Sequence, residues 1–115
     1  MGIEVRSCSV KPSLAVPGQL EASLDFSIHG RPHMVSLNGT NNQYILAERL
    51  YRAIRAHTEV AHNVDRVRVD SSGAHVSLLT PDQVPFESSA RGNNPAESAV
   101  LAYIGALDEL MHYGV

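Results

Sequence analysis

The sequence predicts an α+β domain of two βββα repeats, antiparallel sheet with helices packed on one face. Three observations lead there. The period of the apolar residues switches from two to 3.6 twice along the chain. The motif Asn-Asn-x4-Ala-x3-Tyr occurs twice, each time where a polar loop meets a helix: Asn41-Asn42 with Ala47 and Tyr51, then Asn93-Asn94 with Ala99 and Tyr103. The length of 115 residues suits one domain, with repeat 1 over about 3–60 and repeat 2 over about 64–112.

Ile3-Glu4-Val5-Arg6-Ser7-Cys8-Ser9-Val10 alternates loosely, as a half-buried strand does, until Lys11-Pro12 stops it. Pro17-Gly18 marks a turn. Ala22-Ser23-Leu24-Asp25-Phe26-Ser27-Ile28 sets Leu24, Phe26 and Ile28 on one face. His29-Gly30-Arg31-Pro32 reads as a tight connection, and His33-Met34-Val35-Ser36-Leu37 as the returning strand.

After the loop Asn38-Gly39-Thr40-Asn41-Asn42 the period changes. Leu46, Ala47, Leu50, Ala53, Ile54 and His57 share one side of a helix, with Glu48, Arg49, Arg52, Arg55 and Glu59 opposite. Asn41 or Asn42 is its expected cap. The order then restarts, with strands over 65–70, 74–79 and from Val84. Pro85 implies an edge or a strand start. Asn94 is expected to cap a last helix, with Pro95 in its first position and a run from about Ala96 to His112. Val100, Ile104, Leu107 and Met111 form its main stripe, widened by Ala99, Tyr103 and Leu110. A face that wide implies cover on two sides, from a deep core or from a partner subunit.

Composition excludes several function classes. With 9 Lys+Arg against 12 Asp+Glu, a net charge of −3, the chain lacks the basic excess of a nucleic-acid binder. Two Phe, four Tyr and no Trp make a poor base-stacking platform. Cys8 is the single cysteine, which precludes an internal disulfide and a thiolate zinc site. No signal peptide is visible at the N-terminus, and no run approaches the ~18 apolar residues of a membrane span. The expectation is a cytoplasmic protein with no membrane partner.

The helices carry a resemblance. Glu97-Ser98-Ala99-Val100-Leu101-Ala102-Tyr103-Ile104-Gly105-Ala106-Leu107-Asp108 is similar to Glu-Ala-Ser-Ala-x-Ala-Tyr-x-x-Ala-Leu-Asn, a pattern of the C-terminal regulatory domain of 2-isopropylmalate synthase and citramalate synthase. Glu48-Arg49-Leu50-Tyr51-Arg52-Ala53-Ile54 resembles that family's Asp-Ala-Leu-Tyr-x-Ala-Ile, and Arg91-Gly92 its Arg-Gly. The resemblance spans about residues 3–112. It implies a non-catalytic domain for allosteric regulation of branched-chain amino-acid (leucine) biosynthesis. Such a domain binds leucine or isoleucine, usually across a homodimer, in service of a catalytic synthase domain. The barrel with its metal-binding His-x-His is absent, so no catalytic residue carries over. The family's first loop, Gly-x-Gly-Asn-Gly-Pro-Val-Asp, is here Gly39-Thr40-Asn41-Asn42-Gln43-Tyr44-Ile45, keeping the leading Gly and one Asn. The second loop continues as Asn93-Asn94-Pro95 instead of towards Ser-Thr-Asp. These loops border the family's effector site, so the effector stays open.

Helix N-termini present unpaired N–H groups and partial positive charge, which suit a carboxylate. The candidate ligand-binding residues for a small amino acid are therefore Gly39, Asn41, Asn42, Arg91, Gly92, Asn93 and Asn94. Arg91 would add a charge-assisted bond, and an asparagine amide would accept from the ammonium. The plainer role for any one asparagine is capping alone. Two other functions stand beside sensing: a ligand-free assembly module, and a small histidine- or metal-dependent enzyme. For the last, His29 and His33 flank a hairpin and can approach each other, but no zinc-ligand spacing is present and no cofactor or metal is expected. No Gly-x-Ser-x-Gly elbow or P-loop ending occurs, and Cys8 reads as a small core residue. The Arg49, Arg52, Arg55 row reads as a solvated helix face.

Overall fold

A computed structural model describes residues 2–113. The order is β1 (Ile3–Pro12), β2 (Leu20–Ile28), β3 (Arg31–Thr40), α1 (Gln43–Arg55), β4 (Asn63–Asp70), β5 (Gly73–Leu79), β6 (Pro85–Ala90) and α2 (Pro95–Tyr113). The chain is an α+β fold of two βββα units. The strands form two separate antiparallel sheets, β1-β2-β3 and β4-β5-β6, each in sequence order.

The central strands show why. In β2, Ala22, Leu24, Phe26 and Ile28 are buried; in β5, Ala74, Val76 and Leu78 are. Each sheet thus turns one apolar face inward, as period-two alternation demands. The first strand of each unit carries a register shift, between Val5 and Ser7 in β1 and between Val64 and Arg66 in β4. The duplication therefore extends to the bulges.

The β2–β3 turn is shorter than the four residues expected. His29 and Gly30 alone make it, with φ of 51° and 81°. Positive φ at both central positions is the two-residue turn whose twist matches a hairpin. Arg31 and Pro32 already pair with Ile28 and Ser27. Pro32 is tolerated because β3 is an edge strand, and Pro85 opens the edge strand β6.

The helix α1 buries Leu46, Ala47, Leu50, Tyr51 and Ile54 and ends at Arg55. It stops short of His57, which is exposed, and it adds Tyr51 to the buried face. The helix α2 buries most of its circumference, including Glu97 and Ser98. It packs on β4, β5 and β6, on α1, and on β1 of the other unit. Its second side is therefore covered within the same chain. α1 touches only β3 and α2 extensively.

The two helices run parallel and side by side. Gln43 at the start of α1 accepts at Oε1 from Ala96 N–H at the start of α2 (2.8 Å). Eight residues on, Tyr51 stacks on Tyr103 with centroids 4.7 Å apart. The two tyrosines of the repeated motif thus meet, as residues related by a pseudo-dyad between the helices do. No helix among the described residues is long and apolar enough to cross a membrane.

Candidate functional site

The repeated asparagines cap the two helices at one end of the molecule. Asn42 Oδ1 accepts from Tyr44 N–H (2.9 Å) and Ile45 N–H (3.2 Å). Asn94 Oδ1 accepts from Glu97 N–H (3.0 Å), and its Nδ2 donates to Val10 O (3.0 Å) and Glu97 Oε2 (2.6 Å). The second asparagine of each pair is the cap, and Asn41 and Asn93 are exposed.

This capping changes the expected chemistry at α2. Pro95 has no N–H, Ala96 N–H goes to Gln43, Glu97 N–H to the Asn94 side chain, and Ser98 N–H to Asn94 O. No amide of that first turn is left for a ligand carboxylate. Both polar atoms of Asn94 are also engaged.

Four of the candidate residues, Arg91, Gly92, Asn93 and Asn94, line one open cavity of about 290 Å3 with Asp70, Ser71 and Pro95. Hydrogen bonds from Ser72, side chain first and then backbone, hold the exposed Asp70 carboxyl below the usual range. Gly92 has a packing reason: a Cβ there would come 2.6 Å from Glu97 Cβ, and its N–H donates to Ser98 Oγ (2.9 Å). Gly39 has a backbone reason, its φ of +102°. The structure brings Gly39 close to Arg49 and places Asn42 on a different cavity from Arg91.

That second cavity, about 300 Å3, lies between α1 and β4. Ile45, Ala47, Val67 and Ala99 supply an apolar lining, with Asn42, Tyr44, Glu48 and Tyr51. An adjoining cavity of about 240 Å3 shares Glu48, Tyr51 and Val67 and adds Arg52, Arg55 and Val64. The two make one groove, with Glu48 where they meet and two guanidinium groups on one side of it. Sequence reading left Arg52 and Arg55 as a solvated face, because helical period says nothing of a strand passing beside it.

Tyr51 forms the wall of both cavities. It is 7% exposed, and its hydroxyl is buried with no hydrogen-bond partner. Burial, then the Glu48 charge, pushes its phenol well above the ordinary value, so it stays a neutral donor. Its stacked neighbour is fully satisfied. His62, 2% exposed, has Nδ1 2.8 Å from Val60 O and Nε2 2.6 Å from Tyr103 Oη. A carbonyl only accepts, so Nδ1 carries the proton, Nε2 accepts, and Tyr103 donates. Burial holds the His62 pKa below its ordinary value, outweighing the bond to Val60.

Sequence reading missed this triad. The repeat had singled out both tyrosines, but nothing local marked His62 as buried. Cys8 lies half-buried in β1, where burial, then the Glu97 charge, pushes its thiol up to about 11. It is a poor nucleophile there. Among the described residues no three His, Cys, Asp or Glu side chains converge as metal ligands.

No protein-family model matches the chain, and no curated protein matches it. The resemblance to the synthase regulatory domain rests on the helix and Arg-Gly motifs alone.

Proposed function

We propose that the chain is a non-catalytic sensing domain that takes a small free amino acid in the α1–β4 groove, as a homodimer serving a catalytic synthase domain. The observation that carries this reading is the groove itself, with an apolar lining from Ile45, Ala47, Val67 and Ala99 and charged side chains of both signs beside it. The charges around it suit a zwitterion: Glu48 for the ammonium, Arg52 and Arg55 for the carboxylate. Val64, Val67, Ile45 and Ala99 suit an apolar side chain such as that of leucine or isoleucine. The anchors thereby move from the α2 N-terminus, whose donors are spent, to the open face of α1.

The rim favours a second copy as the lid. Tyr44 is 59% exposed, and Ile45, Val64 and Val67 are each near 40%. These residues also support the second reading, an assembly module whose groove is closed by a partner and holds no ligand.

Thermal unfolding of the purified domain against the free amino acids and 2-keto acids at millimolar concentration separates the two. A ligand at 100 times its Kd adds about 2.7 kcal/mol, a shift of several degrees for a domain this size. A shift from leucine, isoleucine or valine, lost in Glu48→Gln and Arg52→Gln, supports sensing. A concentration-dependent dimer indifferent to every compound supports assembly.

A further inference from the structure

The β2–β3 turn, the segment after α1 and the end of α2 enclose another cavity, of about 520 Å3. Its size falls in the ~300–1,000 Å3 range of small-molecule sites. Ile28, Val60 and Met111 form an apolar part; His29, Arg31, His33, His57 and Glu59 supply the polar groups. We propose that this cavity binds a small organic carboxylate with a short apolar tail.

The fold places these groups deliberately close. The two-residue turn sets His29 and Arg31 on either side of Gly30. His33 sits opposite Phe26 in the sheet, with ring centroids 5.4 Å apart. His57 comes from the far side of the cavity, just past α1, and its ring lies 4.3 Å from that of His33. Fully buried Phe26 also backs His57, at 6.0 Å. Val60 is fixed from behind by the inward-turned His62.

The donor balance decides the ligand. Arg31 is always positive and offers the planar fork that fits a carboxylate. The imidazoles of His29, His33 and His57 each add a ring N–H donor, against one acidic side chain in the lining, Glu59. α2 contributes only Met111 to the lining. Its nearby Asp108 accepts from Ile3 N–H (2.9 Å) and stands 3.6 Å from His112. With no third metal ligand converging among the described residues, an anion fits better than a cation.

The test is an NMR titration of the domain with hexanoate, following the backbone and imidazole resonances. Hexan-1-ol and inorganic phosphate serve as parallel probes. Arg31→Gln and His57→Asn are suitable variants because both side chains are exposed, with thermal unfolding confirming that they fold. The expected result is millimolar hexanoate binding with shifts confined to residues 28–33, 57–60 and 111. Binding should weaken by about tenfold in each variant, the loss of one charge-assisted or neutral hydrogen bond. Equal binding of hexan-1-ol or phosphate, an unchanged Kd in both variants, or shifts elsewhere would overturn it. The cavity shares no lining residue with the α1–β4 groove, so the two readings fail independently.

Discussion

Tyr51 and Tyr103 hold matched positions in the repeat, stack on each other, and behave oppositely as hydrogen-bonding groups. Tyr103→Phe removes the donor to His62 Nε2 and leaves a buried acceptor unpaired. It should cost about 1–3 kcal/mol, read as a lower urea midpoint with unchanged slope. Tyr51→Phe removes an orphan and should be neutral or stabilising by up to about 1 kcal/mol in the absence of ligand. A large loss in Tyr51→Phe would show that the hydroxyl has a partner. His62 links this pair to pH. Its folded pKa lies below that of the unfolded chain, near 6.5 for a free imidazole. Below that value the unfolded state takes up a proton that the folded state refuses. The contribution of His62 is therefore complete above about pH 6.5 and lost as pH falls through the folded value. Urea unfolding across about pH 8 to 5 should show this decline, and His62→Gln should flatten it. An unchanged slope in that variant would assign the decline to other groups.

At the scale of elements, the helix caps and turns are where local sequence was most legible. Asn-Asn-x4-Ala-x3-Tyr located both helix starts, because a cap is a local device: the asparagine bonds amides two and three residues on. Pro95 at the first position and Pro85 at an edge strand follow from equally local rules. The caps are nevertheless unequal in tertiary context. Asn42→Ala should cost about 1 kcal/mol. Asn94→Ala also removes the bonds to Val10 and to buried Glu97, and should cost about 2–3 kcal/mol. Equal losses in chemical denaturation would mean that the tie to β1 contributes nothing. At α2 the first-turn amides expected to be open to a carboxylate are bonded within the chain, one of them for a reason no local pattern contains. Gln43, 53 residues away in sequence, occupies the Ala96 amide.

For the molecule as a whole, α2 is the element on which both units depend. It covers β5 and β6 of its own sheet, packs beside α1, and lies along β1 of the first unit. Neither unit closes its apolar face without it. A fragment of residues 1–61 alone should lack cooperative unfolding, while mixing it with residues 62–115 should restore the circular dichroism of the intact chain. Cooperative folding of the first fragment by itself would show that α1 suffices for that sheet. The same asymmetry exposes function. Where α2 closes against β1, α1 stands off from β4 and leaves the groove.

The sequence by itself determined the element order, the duplication, the buried strand faces and the capping residues. Each of these is set by periods of two or 3.6 residues or by contacts within a few positions. Tertiary structure alone decided that the strands form two sheets and that α2 is covered within its own chain. It also decided that Tyr51 is orphaned while Tyr103 is paired, and that His33 meets His57. Those facts depend on which surfaces meet across 24 to 105 residues of chain. A pattern along the backbone records that a face is apolar, and only packing decides what lies against it.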